Sequence, residues 1–162
     1  MSENLIIDQT LSKQAQYEAL IPQIEALIYG EPNFIANISN IVAALNQTFK
    51  FWWVGVYMVD NDELVLGPFQ GPIACTRIKK GKGVCGTTWA KEETIIVPDV
   101  NQFEGHIACS SATQSEIVVP IFDKENQVVG VLDVDSEHLD SFNETDKIYL
   151  EKICSIIQRI HS

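Results

Sequence analysis

Two stretches in which apolar and β-branched residues run into a short polar turn and resume beyond it constrain this chain more than any other feature. The first runs from Trp52 to Val59, turns through Asp60-Asn61-Asp62 and resumes at Leu64 to Leu66; the second runs from Glu116 to Phe122, turns through Asp123 to Gln127 and resumes at Val128 to Val134. A reversal this short pairs neighbouring strands antiparallel, because a parallel pair needs a crossover of a dozen residues or more. The flanks change period. Between Lys13 and Ile28, Tyr17, Leu20, Ile21, Ile24, Leu27 and Ile28 recur at helical steps, with Gly30 as a stop and Pro22 predicting a kink or two shorter helices. After Pro32 the residues Phe34, Ile38, Ile41, Val42, Leu45 and Phe49 share a second helical face. Ser141-Phe142-Asn143-Glu144 reads as a capping box ahead of Ile148, Leu150, Ile153, Ile157 and Ile160. The expectation is one α+β domain over residues 1–162, a central antiparallel sheet with N- and C-terminal helices packed on it.

Composition narrows the function. With 46% hydrophobic and 20% charged residues in 162, the chain has the makings of a single core and lacks the profile of disorder. Met1 to Thr10 has no basic residue ahead of an apolar stretch, and runs such as Ile117 to Phe122 are far too short to cross a bilayer, so the expectation is a cytoplasmic protein with no membrane partner. A net charge of −11 opposes nucleic acid; Lys79, Lys80 and Lys82 form the one basic cluster, with no aromatic ladder beside it. Cys75, Cys85, Cys109 and Cys154 contain no C-x-x-C pair, which argues against zinc-knuckle and thioredoxin-type readings and for reduced thiols. His106 and Cys109 make at most half a metal site, and no metal is expected.

Between the hairpins, Gly67 to Ser115 carries only short strand or helix signals and holds three of the four cysteines. So irregular a stretch inside a compact domain is more often functional than idle. Cys75, Cys85 and Cys109 each stand near turn-forming or polar residues, where solvent can reach a thiol, whereas Cys154 falls among the apolar positions of the last helix and reads as core. Gly81-Lys82-Gly83-Val84-Cys85-Gly86 satisfies the dinucleotide fingerprint without a βαβ context. It reads instead as a flexible loop opening a short helix, Thr87 to Lys91, with amides and lysine charge suited to an anion or to a thiolate of lowered pKa. Asp133 and Asp135, two apart on one strand, share a face, and Glu116 begins the neighbouring strand. Crowded carboxylates raise one another's pKa, which keeps a proton available for general acid work. Trp53 and Tyr57, four apart, share a face of the first strand and can wall a pocket.

These residues resemble the free methionine-R-sulfoxide reductases, which are single GAF domains. The likeness runs through Trp53-Val54-Gly55-Val56-Tyr57, Gly67 to Cys75, Gly81 to Gly86, Val97-Pro98-Asp99-Val100, Gly105-His106-Ile107-Ala108-Cys109, Ser115 to Pro120 and Gly130 to Ser136. It implies that Cys109 attacks, that Cys75 is its disulfide partner and that Cys85 is able to take part. It further implies that Trp53, Tyr57, Glu116, Asp133 and Asp135 enclose and polarise the substrate, and that a thioredoxin-type dithiol restores the enzyme. Two departures lie in the loop of Cys109: Glu104 where a proline commonly precedes Gly105, and Ser110 where an acid is common.

The chemistry asks for the same groups. A sulfoxide oxygen leaves only when protonated or strongly hydrogen-bonded, which assigns a neutral carboxylic acid to Glu116, Asp133 or Asp135. The attacking sulfur becomes a sulfenic acid, and a second thiol condenses with it. Neither metal nor organic cofactor is needed. Two rivals stand beside this reading: a ligand-sensing GAF module, which would ordinarily be joined to an output domain, and a peroxide-sensing thiol protein. The sequence leaves the oligomeric state open, a homodimer included.

Overall fold

Side chains that alternate along three long strands divide the interior in two, as seen in a computed structural model that describes residues 4–161. The expected domain bounds of 1–162 include residues 1–3 and 162, which lie outside the described residues. In chain order the elements are α1 (Lys13–Ile28), α2 (Phe34–Phe49), β1 (Trp53–Asp60), β2 (Glu63–Gln70), β3 (Arg77–Lys79), α3 (Gly83–Lys91), β4 (Ile95–Val97), β5 (Ser115–Phe122), β6 (Val128–Ser136) and α4 (Glu144–Ile160). The six strands form one antiparallel sheet in the order β3-β2-β1-β6-β5-β4. Both expected hairpins are present. Asn61 takes the left-handed turn position of the first, φ 57°, which asparagine tolerates, and the Asp123 carboxylate accepts from the amides of Glu125 and Gln127 in the second.

Val54 and Val56 of β1, Ile117, Val119 and Ile121 of β5, and Leu132 and Val134 of β6 point to one face, where α1, α2 and α4 cover them with Tyr17, Leu20, Ile24, Ile38, Ile41, Leu45, Leu150 and Ile153. Each such side chain, taken fully out of water, stabilises the fold by about 1.5–3 kcal/mol. The alternate residues, Trp53 and Tyr57 of β1, Val118 of β5 and Val131 of β6, face the opposite way and pack against α3 and the segments around it. The terminal helices thus pack on the sheet as expected, but the second face is covered too. The region between Gly67 and Ser115 holds the rest of β2, then β3, α3, β4 and a 3-10 turn over Val100–Gln102. These elements are short, and they are held by the sheet rather than by their own periodicity.

Three local expectations are corrected. Pro22 neither splits nor ends α1, which is one helix, because Tyr17, Leu20 and Ile24, all fully buried, hold both halves against the core. The capping box of α4 joins Asn143 to Asp146, not Ser141 to Glu144: the Asn143 amide donates to Asp146 while the Asn143 side chain accepts from the Asp146 amide. Ser141 instead shares a 2.6 Å hydrogen bond with the Ser136 hydroxyl. Finally, α3 begins at Gly83 rather than Thr87, so Cys85 lies within its first turn.

Candidate active site

Register across β5, β6 and β1 builds the floor of a cavity of about 50 Å³. Glu116 lies opposite Asp135, and Asp135 lies opposite Trp53, so that acid, acid and indole stand in one cross-strand row. In the next row Val118, Asp133 and Gly55 are neighbours. Glycine is required there: a Cβ on Gly55 would sit 2.5 Å from the Trp53 ring, which lies across that position toward Tyr57. The two rings are 6.0 Å apart and stacked. Each also anchors the segment leading to Cys75, since the Trp53 indole N–H donates to the Pro72 carbonyl (3.0 Å) and the Tyr57 hydroxyl to the Cys75 carbonyl (2.8 Å).

That segment bears one half of a disulfide. Cys75 is bonded to Cys109, 34 residues on, across a Cα separation of 5.5 Å. Both cysteines come from the region between the hairpins, and Cys109, exposed, lines the cavity together with His106 and Ile107. The bond therefore stands at the rim, with the acids beneath it. Cys154 is buried in the helical core and its thiol is unpaired, as its helix position implied.

Cys85 corrects the expectation of a solvent-reached thiol of lowered pKa. Its side chain is 4% exposed, and its thiol is pushed well up, first by burial and then by the nearby charges of Asp133, Glu116 and Asp135. The Gly-rich loop is also less open than expected. The Gly81 amide donates to the Gly86 carbonyl (2.8 Å) and the Gly86 amide to the Lys82 carbonyl (3.0 Å), while a Cβ on Gly86 would lie 2.4 Å from the Lys79 carbonyl oxygen. The loop is packed tightly because it delivers the first turn of α3, and with it Cys85, to the acids.

The three acids come together, and their surroundings push them up unequally. Burial raises the pKa of each, and the Glu116 carboxyl is raised further by Asp133 and Asp135 and hydrogen-bonds to both. Burial also raises Asp133, but hydrogen bonds from Glu116 and Cys85 and the charge of His106 oppose it. Asp133 thus has the most groups opposing its rise, whereas Glu116 and Asp135 are pushed well up, Asp135 against one hydrogen bond from Glu116. One oxygen of Asp133 and one of Asp135 are buried without a hydrogen-bond partner, and such atoms destabilise a fold unless a ligand uses them. His106, lowered chiefly by burial, is a wall of this cavity that sequence spacing presented only as half a metal pair; its place three residues before Cys109 was the available signal.

Comparison with known proteins agrees with this architecture. The GAF domain profile matches residues 36–160. A free methionine-R-sulfoxide reductase of Saccharomyces cerevisiae is 39% identical over 166 residues, which span 98% of this chain and 92% of that one. The Escherichia coli protein of the same name is 41% identical over 151 residues, 93% and 91% of the two chains. The X-ray structure of free methionine-R-sulfoxide reductase from Neisseria meningitidis in complex with its substrate superposes with a TM-score of 0.95 at 48% identity, covering 98% of this chain and 95% of that one. On sequence and fold together, the chain belongs to the free methionine-R-sulfoxide reductase family and is built on a GAF domain.

Proposed function

We propose that this protein reduces the R epimer of free methionine sulfoxide to methionine. The observation that carries the reading is the Cys75–Cys109 disulfide at the rim of a cavity floored by three acids. In the reduced enzyme the Cys109 thiolate attacks the sulfoxide sulfur, while Glu116 or Asp135 supplies a proton to the oxygen. Methionine leaves and Cys109 carries the oxygen as a sulfenic acid. The Cys75 thiol then attacks that sulfur, the oxygen departs as water and the disulfide forms. An external dithiol of the thioredoxin type returns two electrons and two protons, giving one water and one disulfide per sulfoxide reduced. Trp53 and Tyr57 enclose the methyl and side-chain carbons, Asp133 meets the ammonium, and amides of the α3 entrance meet the carboxylate. Cys85 takes part by holding Asp133 through its thiol. No metal or organic cofactor enters this sequence.

Recognition of both charged ends of an amino acid excludes a peptide-borne sulfoxide, because a peptide leaves buried polar groups unpaired. The test is methionine release from the R and S epimers and from a sulfoxide-containing peptide, with dithiothreitol as reductant. Release from the R epimer alone is expected. Binding without release would instead favour a sensing module, and equal turnover of the peptide would remove the free-substrate assignment. We further place the protein in the cytoplasm with a thioredoxin-type partner and without nucleic acid, and allow a homodimer, whose mass light scattering reads directly. Among the described residues no helix is long and apolar enough to cross a membrane.

A further inference from the structure

Beneath the disulfide, the Cys85 thiol and the carboxyl groups of Glu116 and Asp133, which the proposed reaction employs one by one, also converge on a single point as metal ligands do. The Cys85 sulfur and one oxygen each of Glu116 and Asp133 all lie within 4.8 Å of one another. The residues are 4%, 7% and 5% exposed, and among the described residues none of them forms an ion pair. A second, independent observation points to a ligand: one oxygen of Asp133 is buried with no hydrogen-bond partner, as is one of Asp135 beside it. The three donors come from three elements fixed by packing, the first turn of α3, the start of β5 and the end of β6, and the cavity they floor has about 50 Å³ of space.

We propose that Cys85, Glu116 and Asp133 form a binding site for a thiophilic divalent cation, with Zn²⁺ the ion of best fit and Asp135 or a water as fourth ligand. Metal–sulfur bonds of ~2.3 Å and metal–oxygen bonds of ~2.0–2.2 Å in a tetrahedron hold the donor atoms ~3.5 Å apart. The observed spread therefore closes by small side-chain movements without moving a strand. One thiolate among carboxylates selects Zn²⁺ or Co²⁺ over Mg²⁺ and Ca²⁺, which take oxygen ligands alone. Binding displaces the protons of the thiol and carboxyl groups and introduces no redox step. The redox pair is not used, so the site persists when Cys75 and Cys109 are bonded to each other. An ion there occupies the floor that the sulfoxide needs; that consequence alone rests on the proposed function.

Cobalt(II) tests the site optically and without turnover. In protein oxidised at Cys75 and Cys109, the remaining thiols are those of Cys85 and Cys154. Titration with CoCl₂ is expected to raise a near-ultraviolet sulfur-to-cobalt charge-transfer band that saturates at one equivalent and is abolished by ZnCl₂. Cys85→Ser should lose the band and Cys154→Ser should keep it, while Asp133→Asn should weaken cobalt binding at least tenfold. Absence of the band in the unaltered protein, or its survival in Cys85→Ser, overturns the proposal. Should circular dichroism find Cys85→Ser unfolded, Asp133→Asn decides, and unchanged cobalt affinity in that variant overturns the site. A protein that binds cobalt through Cys85 yet reduces no sulfoxide would keep this site and remove the proposed function; the reverse result would do the opposite.

Discussion

In the proposed reaction Cys109 and Cys75 share one bond but not one task. A serine hydroxyl is far too weak a nucleophile to replace the attacking sulfur, whereas the resolving sulfur acts only after methionine has left. Cys109→Ser should therefore abolish methionine release, and Cys75→Ser should allow one equivalent per enzyme with a sulfenic acid that accumulates. Single-turnover release without reductant, followed by labelling of the sulfenic acid, separates the two; a normal burst from Cys109→Ser would transfer the attack to another cysteine. Glu116 yields a second expectation at this scale. A proton donor must be protonated, so the rate should fall as pH rises through the raised pKa of the cluster, and Glu116→Gln should lower kcat by about 10²-fold or more. Stability should fall with rising pH as well. Because the native carboxyl holds its proton above the pH at which the unfolded one loses it, the contribution present at low pH is lost as pH climbs from the unfolded to the native pKa. Glu116→Gln removes that loss, so at alkaline pH the variant should melt above the unaltered protein, by about 2–4 °C for each kcal/mol relieved at this chain length. A variant that melts lower at alkaline pH and keeps its activity would contradict both roles.

Asp146 ties two elements that are more than a hundred residues apart in sequence. Its carboxylate caps α4, accepts from the Tyr17 hydroxyl (2.7 Å) and pairs with Lys13 (2.7 Å), both on α1, and its side chain is 1% exposed. Arg159 and Glu25 link the same two helices across 2.7 Å, but with side chains 64% and 49% exposed. Burial decides which link matters. Removing one partner of a buried, hydrogen-bonded pair costs about 3–5 kcal/mol, while an exposed pair contributes ~0–1 kcal/mol. Because Lys13 is partly exposed, Asp146→Ala should lie near the lower end of that range, and Arg159→Ala should be nearly silent. Urea denaturation of the two variants checks the order, and equal midpoints would refute it. Neither residue touches the cavity, so methionine release by folded protein should be unchanged in both.

Across the whole molecule the disulfide joins residues 34 apart and so links redox state to stability. Closing a loop of that length restricts the unfolded chain by about 3–4 kcal/mol in the chain-entropy account. The oxidised protein should unfold several degrees above the reduced one, and in hydrogen exchange the segment from Phe103 to Thr113 should gain most of the protection. Calorimetry with and without dithiothreitol measures the difference; a reduced protein that melts higher would mean that the bond strains the native fold.

The sequence by itself determined what depends on near neighbours. Hairpins at Asp60-Asn61-Asp62 and Asp123 to Gln127 were legible because polar turns flanked by β-branched runs admit few other conformations, and the shared face of Asp133 and Asp135 followed from the two-residue period of a strand. The Cys75–Cys109 pairing was legible through family likeness, since spacing alone does not select a partner among four cysteines. Only the tertiary structure decided matters of register and burial. It set Glu116 opposite Asp135 and Gly55 beside Asp133, leaving room for an indole. It kept α1 continuous through Pro22, because packing of Tyr17, Leu20 and Ile24 outweighs one missing hydrogen bond. And it turned Cys85 from a loop thiol into a buried neighbour of Asp133, since a thiol takes its pKa and accessibility from groups that arrive from distant parts of the chain, and no local pattern of residues encodes their distance.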